Sequence, residues 1–143
     1  MVRVSRLAWV GAFFVWAGAF ACAKPPESPT AAYKAFVEAV KKGQGPQAFA
    51  RLSSATRAHF EAQAKAVEQA TGGAAKEDPV ALAFGAGLKP TVIHSVTTQK
   101  SEGDRVILEV ESGETKTAQV MIRENGRWQV DWTQGLALDA GLP

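Results

Sequence analysis

The chain has 143 residues, 46% hydrophobic and 21% charged, with 16 Lys and Arg against 14 Asp and Glu. Two of the cations, Arg3 and Arg6, lie in an apolar leader; without them the counts are equal at 14, and no basic run is left to follow a phosphate backbone, which argues against a nucleic-acid partner. The one cysteine, Cys22, excludes an intramolecular disulfide, and the two histidines, His59 and His94, stand too far apart in a chain with no second cysteine to suggest a metal cluster.

Arg3 and Arg6 form a positive n-region, Leu7 to Phe20 an apolar h-region, and Ala19-Phe20-Ala21 a small-residue cleavage site. The uncharged run Leu7 to Ala23 holds 17 residues, fewer than the roughly 20 that a spanning helix needs. Residues 1–21 therefore read as a removable export signal. With Cys22 directly after it, the leader resembles the signal of bacterial lipoproteins, in which a diacylglycerol is joined to the cysteine sulfur before the chain is cut between Ala21 and Cys22. That resemblance implies a membrane partner reached through lipidated Cys22. It also implies the outer membrane where there are two, because Ala23 is not the aspartate that marks inner-membrane retention in such systems. The aromatic Phe20 departs from the small residue usual there. Read as an ordinary A-x-A site instead, the same residues give a secreted or soluble periplasmic protein that starts at a free Cys22.

From Ala23 to Pro29 three prolines interrupt a polar stretch, which favours extended backbone over packing. Residues 22–29 read as a lipidated cysteine and flexible tether, residues 30–133 as one α+β domain and residues 134–143 as a C-terminal tail. The mature 122 residues suit one core.

Ser28-Pro29 supplies an N-cap and a first-turn proline. Tyr33, Phe36, Val37 and Val40 then recur along one helical stripe, closed by Lys41-Lys42-Gly43. Gly45-Pro46 starts a short helix directing Phe49 and Leu52 inward. Ser53-Ser54 caps a longer one from Ala55 to about Ala70, with Phe60, Ala64 and Val67 on its apolar stripe and Gly72-Gly73 as its stop. Ala55, Ala58, Ala62, Ala66 and Ala70 form a second, small-residue strip, read as tight packing on the sheet in preference to a partner contact. Asp78-Pro79 opens a brief apolar helix, Val80 to Phe84.

Beyond Pro90 the period changes to two. Val92, His94, Val96 and Thr98 alternate with Ile93, Ser95 and Thr97; Ser101 to Asp104 is a turn; Val106, Leu108 and Val110 alternate with Ile107, Glu109 and Glu111. Ala118, Val120 and Ile122 alternate with Gln119, Met121 and Arg123. Asn125-Gly126 is a hairpin signal leading into Trp128, Val130 and Trp132 on one face, with Gln129, Asp131 and Thr133 on the other and Asp131 expected in water. Helices followed by a four-stranded antiparallel meander make an α+β fold.

Three segments resemble the nuclear transport factor 2-like superfamily, in particular its small exported bacterial branch. They are the Ser28-Pro29 opening with Tyr33, Phe36 and Val40; the turn Leu52-Ser-Ser-Ala-Thr-Arg57; and the hairpin Glu124-Asn-Gly-Arg-Trp-Gln-Val-Asp-Trp132. The resemblance implies a cone of helices wrapped by a curved sheet, open at its wide end, serving either catalysis or binding of a ligand or partner. Catalysis of the isomerase type requires a carboxylate base and paired donors in an apolar cavity, and this chain offers one tyrosine, Tyr33, on a core stripe. Tyr33 and His94 are the candidate pocket residues. The glycine pairs match no phosphate-binding loop, so no cofactor is indicated. The expectation is a lipid-anchored cell-envelope protein with a non-catalytic domain for a small apolar ligand or a protein partner, with homodimerisation open. The alternative is a periplasmic isomerase or hydratase using His94 or a carboxylate such as Glu109.

Overall fold

The computed structural model describes residues 26–85 and 92–134. Four helices precede four strands: α1 Pro29–Lys41, α2 Gly45–Phe49, α3 Ser54–Ala70, α4 Pro79–Phe84, then β1 Ser95–Glu102, β2 Arg105–Ser112, β3 Thr115–Glu124 and β4 Arg127–Asp131. The fold is α+β. The leader, Cys22 and the tail from Gly135 lie outside the described residues, as do Gly87 and Pro90.

Three of the four helices start where a side-chain cap dictates. The Ser28 hydroxyl accepts from the Ala31 N–H, Ser53 from Thr56 and the Asp78 carboxylate from Val80, each satisfying a first-turn donor that no carbonyl can reach. Ala32, Phe36 and Ala39 form the buried line of α1, with Tyr33, Val37 and Val40 half-covered at its margins. Gly45 allows α2 to press on α4: a Cβ there would stand 2.9 Å from Val80 Cγ1.

The sheet is a meander of order β1-β2-β3-β4, antiparallel throughout, with two residues in each connection. Asn125 and Gly126 both take positive φ, 50° and 77°, as a tight hairpin loop of this hand requires. The first turn is shorter than expected. Strand β1 continues through Glu102 and only Gly103-Asp104 turns, because Lys100, Ser101 and Glu102 pair with Ile107, Val106 and Arg105 beyond a register shift between Thr98 and Lys100. That bulge is what the strict alternation of Val92 to Thr98 did not contain.

Register separates the two faces of the sheet. Val106 pairs with Met121 and Met121 with Val130, so these join Leu108 and Val110 on the side packed against α1 and α2. Val120 and Ile122 lie on the other side, opposite Ile107 and Arg105. The two apolar sets of β3 thus serve opposite faces, and Val120 is nonetheless buried.

Two sequence expectations are corrected. The strip Ala55, Ala58, Ala62, Ala66 and Ala70 is exposed rather than packed on the sheet, because α3 leans on α4 and buries only Thr56 and Ala64 outright. Asp131, expected in water, is 2% exposed, because the hydroxyls of Ser53, Thr56 and Thr133 close over its carboxylate.

Candidate functional site

The segment between α2 and α3 lies alongside β4. Leu52 forms a parallel bridge with Val130; the Ser53 N–H donates to the Val130 carbonyl at 2.8 Å, and the Val130 N–H donates to the Arg51 carbonyl at 2.9 Å. With its terminal amide oriented to donate, Gln129 reaches the carbonyls of Ala50, Arg51 and Leu52. The outer edge of β4 is thereby covered at Val130. The same seam carries Asp131, whose Oδ1 accepts from the Thr133 N–H (2.9 Å), the Thr133 hydroxyl (2.6 Å), the Thr56 hydroxyl (3.1 Å) and the Ser53 hydroxyl (3.3 Å). The Ser53 and Thr56 hydroxyls stand at the start of α3, where the helix dipole is positive, and with the two Thr133 donors they replace the water that the carboxylate gave up. Glu124 closes the seam's other end by accepting from the Ser54 N–H and hydroxyl. The Leu52–Arg57 turn and the Glu124–Trp132 hairpin, distant in sequence, meet here.

Above the seam sits Trp132. Its N–H donates to the Thr56 hydroxyl at 3.0 Å, and its ring stands edge-on to Phe36, Phe60 and Phe84 at centroid distances of 5.8, 6.1 and 6.0 Å, a favoured aromatic geometry. Trp128 is peripheral by comparison, with the Arg123 guanidinium 5.9 Å from its ring centre.

The candidate pocket residues are not arranged around one cavity. Tyr33 lies half-buried on α1 beside Phe36, 6.1 Å between centroids, and burial pushes its phenol above the ordinary value. His94 is exposed just before β1, its backbone N–H donating to the Glu111 carbonyl. His59 is exposed and shares a 3.1 Å contact with Gln63. Cys22 lies outside the described residues.

A polar depression of about 200 Å³ opens on the sheet face away from the helices, lined by Gln99, Glu109, Lys116, Thr117 and Ala118. Sequence reasoning reached Glu109 but neither Gln99, which only the β1 bulge brings there, nor Lys116, which register places near Glu109. The Lys116 ammonium donates to Glu109 Oε1 at 2.9 Å. The hydrogen bond and charge of Glu109, with the charge of Glu111 behind, hold that ammonium above its ordinary range. A lysine that attacks a carbonyl needs the opposite shift. The side chains lining the depression can donate and accept hydrogen bonds to a polar group.

Among the described residues no three His, Cys, Asp or Glu side chains come together as a metal site, and no helix is long and apolar enough to cross a membrane. Neither a curated relative nor a solved structure matches the chain. A family model does, over residues 20–131, from two residues before Cys22 to the end of β4: the chain belongs to the family described as a domain of unknown function, DUF4878.

Proposed function

We propose that this chain is a lipid-anchored cell-envelope protein whose α+β domain binds a ligand or a protein partner without catalysing a reaction. The observation that carries the reading is the position of Cys22, the single cysteine, at the junction of a basic-apolar leader and a proline-rich tether. A thiol there gains a function from acylation, whereas a free one in an oxidising compartment is a liability. The domain begins soon after: Glu27 pairs with Arg51 at 3.6 Å and Ser28 caps α1. Between Cys22 and that start lie the four residues Ala23 to Pro26, which span about 12 Å if extended at roughly 3.1 Å per residue.

Support for a binding role comes from the side chains. His94 is exposed, Tyr33 packs against Phe36, and Glu109 pairs with Lys116 on the far face of the sheet, so the groups that an isomerase or hydratase would use are dispersed. The nuclear transport factor 2-like cone remains our reading of the architecture, supported by helices preceding a meander and by a β1 bulge, a device that bends a sheet.

The test is metabolic labelling with a clickable fatty acid in a bacterial host. The parent chain should incorporate label and partition with membranes, and Cys22→Ser should do neither. Label persisting in Cys22→Ser, or absent from the parent, refutes the anchor.

A further inference from the structure

We propose that the first half of β1 is a self-association edge, through which two copies of this chain pair β1 to β1 and join their sheets into one eight-stranded sheet. The starting observation is an asymmetry. The β4 edge is occupied by residues 51–53, whereas among the described residues nothing pairs with the outer edge of β1. Exposed edges are usually blunted by charge, proline or a bulge. In β1 those devices are confined to the second half: the bulge falls between Thr98 and Lys100, and Lys100 is held by Glu102 at 2.7 Å. Ser95 to Thr98 is regular, uncharged and free of proline.

The occupant follows from the pattern of that short ladder. Unpaired backbone N–H and C=O groups recognise another extended backbone, and Ser95-Val96-Thr97 is self-complementary when it runs antiparallel to itself about Val96. Val96 then faces its own counterpart on the helix side, where it already packs against the core. Ser95 faces Thr97 on the outer side, twice, by symmetry. The chemistry of the second pair is already prepared. The Ser95 hydroxyl donates to Glu111 Oε2 at 3.0 Å, which leaves its lone pairs to accept from the hydroxyl of Thr97. Cross-strand contacts between β-branched residues and between hydroxyls are among those that stabilise antiparallel pairs. No like charges meet within the regular ladder. Val92, 65% exposed, lies just ahead of it and would be carried alongside the neighbour's β1.

A ladder of four or five residues buries less than the roughly 1,200 Å² of a standard stable interface, so the dimer is weak and depends on concentration. Confinement to a bilayer through Cys22, as proposed above, would raise the local concentration; the pairing itself does not depend on it.

The experiment uses the full chain in mild detergent, with Cys22→Ser so that a single cysteine can be placed at will. Under mild oxidation Val96→Cys should form a disulfide-linked dimer at least about tenfold faster than Thr115→Cys, an exposed position at the start of β3, two strands in from the β1 edge. Adding Thr97→Lys brings two ammonium groups onto one diagonal of the dyad and should slow the reaction about tenfold without changing the melting temperature. If Val96→Cys folds poorly, the pair Ser95→Cys and Thr97→Cys replaces it. Amide exchange of Ser95 to Thr98 should also slow as protein concentration rises. Equal crosslinking at positions 96 and 115, indifference to Thr97→Lys, or exchange independent of concentration would each overturn the proposal.

Discussion

The β4 edge and the β1 edge bound the same sheet under opposite physical regimes. Along β4 the Val130 N–H and C=O bond to Arg51 and Ser53, the Asp131 carboxylate is buried among the hydroxyls of Ser53, Thr56 and Thr133, and Trp132 sits on three phenyl rings. Along β1 the side chains are small, polar and mostly exposed, and the strand changes register at a bulge. Stability is concentrated where helix and sheet exchange hydrogen bonds at long sequence separation. Adaptability is left where they do not.

The comparison breaks most visibly at Trp132. Trp132→Ala removes one partner from three edge-to-face contacts and should cost about 3 kcal/mol in urea unfolding, whereas Trp128→Ala should cost about 1 kcal/mol. Equal losses would mean that the aromatic cluster does not centre on Trp132. Next comes Asp131→Ala, which strands the Ser53, Thr56 and Thr133 donors and should cost roughly 2–3 kcal/mol; the isosteric Asp131→Asn, keeping one acceptor, should cost less. A smaller step is expected for Gly45→Ala, about 1 kcal/mol, because the new methyl meets Val80. On the other edge, Thr97→Lys should change monomer stability by no more than about 0.5 kcal/mol; a loss as large as that of Asp131→Ala would erase the distinction between the two edges.

The smallest effect concerns pH. Burial raises the Tyr33 phenol above its ordinary 10.0, so the unfolded chain releases that proton first as pH rises. Above about pH 10 the folded state therefore binds more protons and stability falls. Tyr33→Phe should flatten that part of the pH–stability curve, and identical alkaline slopes for the two proteins would show that the phenol is not desolvated.

Much of the architecture was legible because it depends on local chemistry. Ser28, Ser53 and Asp78 cap helices through atoms two or three residues away, and Asn125-Gly126 turns because those two residues tolerate positive φ. The period-two runs marked all four strands. Less of the site could be read. Asp131 alternates away from Trp132 and so reads as solvated, yet it is buried by Ser53 and Thr56, 78 and 75 positions earlier. The Thr133 hydroxyl two residues on was the one local hint. The alanine strip of α3 showed the converse: helical spacing gave its direction around the axis, but not whether a neighbour stood there.

The amino-acid order alone determined the helix starts, the strand count, the tight final hairpin and the singular placement of Cys22, since each rests on dihedral preference, side-chain period or composition within a few residues. Only the tertiary structure decided which face of β3 met the helices, which carboxylate lost its water and which edge of the sheet residues 51–53 covered. Those outcomes turn on register and on contacts between remote segments, where a shift of one residue reverses every side chain while leaving the local pattern unchanged.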